Sequence, residues 1–366
     1  MAERDERAKR ALPEIRKGQG PEMLDRTEFE RRMRRHFTDP VFERDADALE
    51  RLIVDAWDGY IHSRKSPRTR KAGPEFADPE YEVAIEWLEA RAALQTAAKQ
   101  HGDASRARRI LVICGSPRND MTCPGEMSKT FRLASAARDV IVAAGAECDL
   151  LDLSHLTSEY GRVIYPCKAC VSTAMPLCHW PCSCYPNHAL GQTGDWMNEI
   201  YPRWVAAHGI LIATPVHWLQ VPSALKLMMD RLVCADGGNP DPSSTHGKKV
   251  DEAKRLELDG WPYPRHLAGR AFAVVVHGDT EGADAVRHAL VDWLVGMELV
   301  QAGGMAAVDR YIGYYEPYAT SHEALDRDEA LFEEVRNAAR SLVRETELMR
   351  GGRVEPDDAL QAPREK

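Results

Sequence analysis

The 366-residue chain is 44% hydrophobic and 29% charged, the balance of a globular protein with enough chain for one large α/β core and its extensions. Its net charge of −9 argues against nonspecific nucleic-acid binding and against adhesion to an anionic membrane surface. There is no run of about 18 apolar residues and no apolar stretch near the amino terminus, so a cytoplasmic protein is expected.

Residues 1–36 alternate in charge and are poor in apolar side chains, which predicts a solvated, partly helical tail. In Asp45–Ile61, Leu49, Leu52, Ile53, Ala56 and Trp57 recur at helical spacing. A basic, proline-bearing linker, SRKSPRTRKAGP, leads to a second expected helix over Asp78–Lys99, with Tyr81, Ala84, Ile85, Leu88 and Ala92 on one face. The expected organisation is a charged tail and helical extension over 1–106, a main domain over 107–348, and a disordered tail over 349–366.

The main domain opens at Arg109–Leu133, RILVICGSPRNDMTCPGEMSKTFRL. Ile110–Ile113 is short and β-branched, as a buried parallel strand should be. Gly115-Ser116-Pro117-Arg118 breaks it, and Ser128 is placed to cap a helix running over Thr130–Ala144. A strand, a hydroxyl-rich loop and a helix N-terminus together form an anion site, through unsatisfied amides and the helix dipole. The nucleotide P-loop does not fit, because Ser128 precedes Lys129-Thr130 and Cys123 stands where a glycine is needed. No G-x-G-x-x-G follows a strand candidate either. A loop closing on a phosphate monoester fits best.

Strand and helix then alternate: a strand over Glu147–Leu153, a helix over Asp195–Ala207, a strand over Gly209–Ala213 and a helix over Pro222–Val233. Residues 236–269 are an excursion rich in Gly, Pro and Asp, read as a lid or dimer arm with Trp261 and Tyr263 as aromatic anchors. A strand over Ala271–His277, a helix over Gly282–Gly296, a strand over Glu298–Gln301 and a helix over Glu323–Leu342 complete the pattern. Five strands with intervening helices predict a doubly wound parallel sheet, whose ligand crevice lies at the carboxyl ends of the strands near the switch in strand order. Two further loops stand at such ends. Thr214-Pro215-Val216-His217-Trp218 exposes amides and an aromatic, and His277-Gly278-Asp279-Thr280-Glu281-Gly282 allows close backbone approach to a planar ring.

A separate signal lies in Pro166–Pro186, where Cys167, Cys170, Cys178, Cys182 and Cys184 fall within 18 residues, with His179 and His188 nearby. A C-x₂-C pair in a turn can chelate one metal, so Cys167 and Cys170 are the leading candidate ligands. Cys178 and Cys182 would complete four, with Cys184 the alternate. An iron–sulfur cluster, zinc, and thiols without metal are all compatible with this spacing. Without a metal, packing by Met175, Leu177, Trp180 and Tyr185 must hold the loop. Cys114, Cys148 and Cys234 sit in or beside apolar segments and read as inert core residues.

The motifs G-S-P-R, T-P-V-x-W…P-x-x-L-K-x-x-x-D-R and G-D-x-x-G-A together resemble the NADPH-dependent FMN reductase group of flavodoxin-like proteins, over roughly 109–303. The resemblance implies an α/β, flavodoxin-like doubly wound five-stranded parallel sheet, here with an N-terminal helical extension outside it. It implies FMN held non-covalently and NAD(P)H as co-substrate. By position, Ser116, Arg118, Ser128 and Thr130 would hold the FMN phosphate. Thr214, Pro215, Val216, His217, Trp218, Gly278 and Asp279 would line the ring, and Lys226 and Arg231 would form structural salt bridges. His217 is the one candidate for a catalytic role, as a donor to a bound acceptor. The phosphate loop is longer than usual by several residues, including Cys123-Pro124-Gly125, and His217-Trp218 stands where relatives often carry Tyr. Iron–sulfur flavoproteins, a branch of the same family, carry a compact cysteine cluster after the second strand, although with tighter spacing.

The expected function is an FMN-dependent NAD(P)H oxidoreductase passing electrons to a flavin, quinone, azo or nitro compound, or metal ion. The rivals are an iron–sulfur flavoprotein carrying electrons between proteins, and a zinc-stabilised binding module without flavin. The resemblance also implies a homodimer or higher homo-oligomer, and no nucleic-acid or membrane partner is expected.

Overall fold

The structure, a computed structural model, describes residues 18, 23–62, 68–123, 125–185 and 194–352. Most of the charged tail before Met23, part of the basic linker, Pro124, His188 and the carboxyl-terminal tail from residue 353 lie outside the described residues. The chain divides into two compact units, one formed by Met1–Arg91, Lys168–Asp195 and Gly238–Tyr263, the other by the remaining segments.

In the first unit, Asp25 caps a helix over Arg26–Arg34 by accepting from the Glu28 amide at 2.8 Å. The expected helix appears at Ala46–Ile61, and Phe29 packs its ring against Trp57 and Tyr60 with centroids 5.4 and 4.9 Å away. The next segment departs from expectation. Strand β1 (Thr69–Lys71) pairs antiparallel with strand β2 (Glu82–Ala84), so the helix expected from Asp78 begins only at Ile85 and runs to Gly102. The ladder claims the backbone of Glu82–Ala84 and turns Val83 inward, where it packs with Ala72, Phe76, Trp87 and Leu88. The 236–269 excursion is structured too, with a helix over Val250–Leu258. Asp241 Oδ2 accepts from the Ala77 amide at 2.7 Å, Ser243 Oγ accepts from the Asp78 amide at 3.0 Å, and Trp87 Nε1 donates to the Pro181 carbonyl at 2.9 Å. These bonds join three segments remote in sequence into one unit.

The second unit holds the parallel sheet: β3 (Arg109–Cys114), β4 (Glu147–Asp152), β5 (Gly209–Pro215), β6 (Ala271–Gly278), β7 (Val300–Gln301) and β8 (Ala307–Tyr311). The spatial order is β4-β3-β5-β6-β7, with β8 also paired to β6. The switch in strand order therefore lies between β3 and β5. The fifth position is shared by two short strands: β7 stops after two residues, Gly303 turns the chain at φ 80, and β8 returns to pair with β6. β8 escaped the sequence reading because AVDRY is half exposed and carries no apolar run.

Alternation along the strands covers both faces. Ile110, Val112, Cys114, Leu211, Ala213, Ala273 and Val275 form one core with Leu133, Ala137 and Ile141 of the helix Lys129–Ala143 and with Val335, Ala339 and Leu342 of the helix Glu329–Arg350. Leu111, Ile113, Ile210, Ile212, Phe272 and Val274 point the other way and are equally buried. The single helix expected over Glu323–Leu342 is two, Tyr318–Asp326 and Glu329–Arg350, because Asp328 Oδ1 accepts from the Leu331 amide at 3.1 Å and starts a new helix. Lys226 pairs with Asp230 one turn on, whereas buried Arg231 donates to the Tyr165 carbonyl at 2.9 Å. Among the described residues no helix is long and apolar enough to cross a membrane.

Candidate functional site

A cleft at the carboxyl ends of β3, β5 and β6 is lined by Ser116, Arg118, Ser128, Lys129, Thr130, Pro215, Val216, His217, His277, Gly278, Asp279, Ile312 and Tyr318, all in the second unit. It encloses about 100 Å³, room for a phosphate-sized group, so a larger ligand must extend through its open side.

The floor is set where β3 ends. The Gly115 amide donates to the Ala213 carbonyl at 2.8 Å, and a Cβ there would stand 2.9 Å from Thr214 Oγ1 and 3.0 Å from Leu225 Cδ2. Only glycine lets the two strand ends approach this closely. Ser116 follows, buried, its Oγ accepting from the Arg118 amide at 3.1 Å. The Arg118 guanidinium donates to the Cys123 carbonyl at 2.8 Å and lies over the Tyr318 ring at 4.4 Å, while its buried Nε has no acceptor among the described residues. Ser128 caps the helix as expected, its Oγ accepting from the Phe131 amide at 3.0 Å. The amides of Lys129 and Thr130, in the first turn, have no acceptor within the helix.

Lys129 is only 5% exposed, its Nζ donating to the Ile312 carbonyl at 3.2 Å and to Ser321 Oγ at 2.6 Å. Burial pulls its pKa below the ordinary lysine value, Asp279 partly offsets that, and Arg132 adds to it. Thr130 Oγ1 and His277 Nε2 share a hydrogen bond at 2.7 Å. Burial, reinforced by Lys129 and His217, pushes the His277 pKa down to about 3, so this imidazole stays neutral at physiological pH. His217 is shifted downward as well, by burial against a weaker upward pull from Asp279.

The loop after β5 is a tight turn in which the His217 amide donates to the Gln220 carbonyl at 2.8 Å and the Gln220 amide returns the bond at 3.0 Å. Trp218 and Leu219 at its tip have φ of 49° and 63°, a left-handed pair more usual for Asn and Gly. The turn directs Trp218 into solvent, 97% exposed, so its ring does not line the cleft. Thr214 lies behind the lining, fully buried, with Oγ1 donating to the Pro215 carbonyl at 3.2 Å. Pro215, Val216 and His217 do line the cleft, and the Val216 amide donates to the His277 carbonyl at 2.8 Å, tying the β5 loop to the β6 loop. Of the residues assigned from sequence, Ser116, Arg118, Ser128, Thr130, Pro215, Val216, His217, Gly278 and Asp279 are brought together; Thr214 and Trp218 are not. Ile312 and Tyr318 were missed as lining residues, and Lys129 and His277, inside loops expected at the crevice, were not singled out. Lys129 carried a usable signal, a lysine within the first turn of a helix that follows an anion loop. Ile312 and Tyr318 arrive through the unforeseen β8.

The donor set suits a phosphate monoester: a buried ammonium, a guanidinium with an unsatisfied buried N–H, two helix amides and three Ser/Thr hydroxyls converge, against one carboxylate, Asp279. Residues of this chain therefore fit the phosphate end of FMN.

The cysteine loop shows no formed metal site among the described residues. Among the described residues no group of three or more His, Cys, Asp or Glu side chains forms a ready ion site, whereas Cys167, Cys170, Cys178 and Cys182 were the expected set. The backbone explains the difference. Ala169 takes a left-handed φ of 50° inside the C-x₂-C pair, and Cys178 is drawn into the interior, where its carbonyl accepts from the Asn239 amide at 2.7 Å. Cys170 and the alternate, Cys184, stand with sulfurs 3.4 Å apart, and Cys182 also contacts Cys184. Met175, Leu177, Trp180 and Tyr185 are all buried, so packing holds the loop. None of the nine cysteines is in a disulfide; Cys114 is buried in β3, where burial raises its thiol pKa to about 12.

The sequence profile of the NADPH-dependent FMN reductase family matches residues 108–312. An iron-sulfur flavoprotein from Methanosarcina thermophila is 31% identical over 125 residues, which are 34% of this chain and 52% of the relative. The chain thus spans about half the length of the curated relative it matches. Among solved structures, RosB with a bound 8-demethyl-8-formylriboflavin-5'-phosphate intermediate is similar at a TM-score of 0.45 and 15% identity, over 71% of this chain and 92% of that one. An NADH:FMN oxidoreductase in its apo form is similar at 0.36 and 15% identity, over 65% and 89%. Both scores fall under 0.5, and neither similarity bears on the chemistry.

Proposed function

Because the chain belongs to the NADPH-dependent FMN reductase family, we propose that it is an FMN-dependent oxidoreductase drawing electrons from NAD(P)H and passing them to a small acceptor: a flavin, a quinone, an azo or nitro compound, or a metal ion. The observation that carries this reading is the convergence of phosphate-binding donors from one strand–helix turn with two neighbouring strand-end loops, at the switch in strand order.

FMN, when bound, supplies the hydride and electron-transfer chemistry. The chain's own residues bind, orient and set charge. Lys129, Arg118 and the helix amides neutralise the phosphate, and Lys129 is prepositioned by its bonds to Ile312 and Ser321. Neutral His277 fixes the Thr130 hydroxyl without adding a second buried cation beside Lys129. Gly278 keeps the β6 loop low; a Cβ there would stand 3.2 Å from Val216 Cβ. His217, held neutral at its shifted pKa, presents one N–H and one lone pair at the cleft. Electron-acceptor identity and the choice between NADH and NADPH are left to the assay. A homodimer is part of the proposal, with sedimentation at micromolar concentration as its check; a monomer with full turnover refutes it.

The relative named an iron-sulfur flavoprotein favours a second reading, electron carriage between proteins through FMN and a cluster. The test is cofactor release: purified protein should yield FMN rather than FAD on heating and oxidise NAD(P)H when acceptor is added. A protein that neither carries nor takes up FMN defeats the proposal.

A further inference from the structure

The strongest unassigned chemistry lies in the first unit, in the cysteine loop. Cys170 and Cys184, 14 positions apart, bring their sulfurs to 3.4 Å. A disulfide needs about 2.05 Å, so closing the pair takes about 1.4 Å of side-chain movement. Lys248 Nζ donates to Cys184 Sγ at 3.3 Å. An ammonium on the sulfur stabilises a nucleophilic thiolate. Cys170, Cys182 and Cys184 are all half-buried, so a small reagent can reach the loop, whereas Cys178 is buried. The two sulfurs are not equivalent. Cys184 receives the lysine, while Cys170 packs against the cluster of Ala174, Leu177 and Ala253.

We propose that Cys170 and Cys184 are a reversible thiol–disulfide pair that reduces low-molecular-weight disulfides, with Cys184 the attacking and Cys170 the resolving sulfur. Cys184 Sγ attacks one sulfur of R–S–S–R; that S–S bond breaks, one RS⁻ leaves and is protonated, and a mixed disulfide remains on Cys184. Cys170 Sγ then attacks Cys184 Sγ, expelling the second RS⁻, which takes the proton that Cys170 gives up. Two protein thiols are oxidised to one disulfide, and R–S–S–R is reduced to two R–SH. An added dithiol restores the starting state. The pair gives the loop a use for its cysteines that needs no metal, and it stands independently of the flavin reading.

The experiment treats the full chain, reduced, carrying whatever cofactor it retains and with the exposed Cys123 replaced by Ser in every protein including the wild-type reference, with glutathione disulfide, and follows intact mass. Wild type should lose two hydrogens without keeping an adduct, and regain them with dithiothreitol. Cys170, Cys178, Cys182 and Cys184 lie between Lys168 and Arg203 with no tryptic site among them, so variants assign the bond. Because Cys182 also contacts Cys184, Cys170→Ser is read together with Cys170→Ser/Cys182→Ser: both should accumulate a glutathione adduct, Cys184→Ser should show neither adduct nor mass loss on that timescale, and Cys178→Ser and Cys182→Ser alone should behave as wild type. Lys248→Met should slow the first step about tenfold. A lasting adduct on wild type, mass loss that survives Cys170→Ser or Cys184→Ser, or stoichiometric metal that those substitutions release would each overturn the proposal.

Discussion

Lys129→Met should weaken FMN binding about 10- to 150-fold while leaving riboflavin binding nearly unchanged. A charge-assisted hydrogen bond is worth about 1.5–3 kcal/mol, and each 1.4 kcal/mol is about tenfold in affinity. Riboflavin lacks the phosphate, so the ratio of the two dissociation constants separates phosphate recognition from general damage. Met matches the lysine stem and keeps the site filled. The substitution removes the donor to the Ile312 carbonyl, but Ser321 Oγ keeps its bond to the Tyr318 carbonyl at 2.9 Å, so the local fold should persist. Fluorescence titration with both flavins measures the effect, and an equal loss for the two would make Lys129 scaffold. The pH dependence follows from the same residue. The protonated lysine is the binding form and its pKa is lowered by burial, so FMN affinity should fall as pH rises, starting below the ordinary lysine range. Lys129→Met should lose that alkaline limb.

The second large effect is on stability. Phe272 is fully buried in β6, with Ile210 and Gln301 as its neighbours across the sheet. Phe272→Ala should cost about 3–5 kcal/mol through lost burial and the cavity left behind, against a usual total of about 5–15 kcal/mol. Phe272→Leu, nearer in volume, should cost about 1.5 kcal/mol or less. Urea unfolding of flavin-free protein is the measurement. A change under about 1 kcal/mol for the alanine variant would mean that this face of the sheet is not the core it resembles. Because β6 ends in His277 and Gly278, the same variant should also release FMN more readily.

Local rules carried the sequence far in the sheet and its loops. Ile110–Ile113 and Ala271–His277 announced themselves as buried parallel strands because both of their faces are covered and every position but the terminal His277 is apolar. Ser128 was identifiable as a cap because capping depends on the residue and its next three neighbours. The strand-end position of three loops followed from the alternation of strand and helix alone. These signals sit within a few residues of one another, which is why a single sequence suffices to read them.

Other features were decided by partners distant in the chain. β2 displaced the start of a plausible helix because Thr69–Lys71 was available to pair with it, and propensity yields to such a ladder. Lys129 joined the cleft because Ile312 and Ser321, nearly two hundred residues on, accept its hydrogen bonds and make its burial tolerable. Trp218 left the cleft because the His217–Gln220 bonds impose a left-handed turn that the residue types at its tip do not favour. Spacing made Cys167 and Cys170 the natural metal pair, since a C-x₂-C turn can aim two thiolates at one point. The left-handed kink at Ala169, the burial of Cys178 against Asn239 and the arrival of Lys248 instead set Cys170 beside Cys184. Sequence thus determined which segments are strands, caps and binding loops, because those depend on near neighbours. Tertiary structure alone decided which side chains meet in the cleft and in the thiol pair, because each meeting joins groups from segments that only folding brings together.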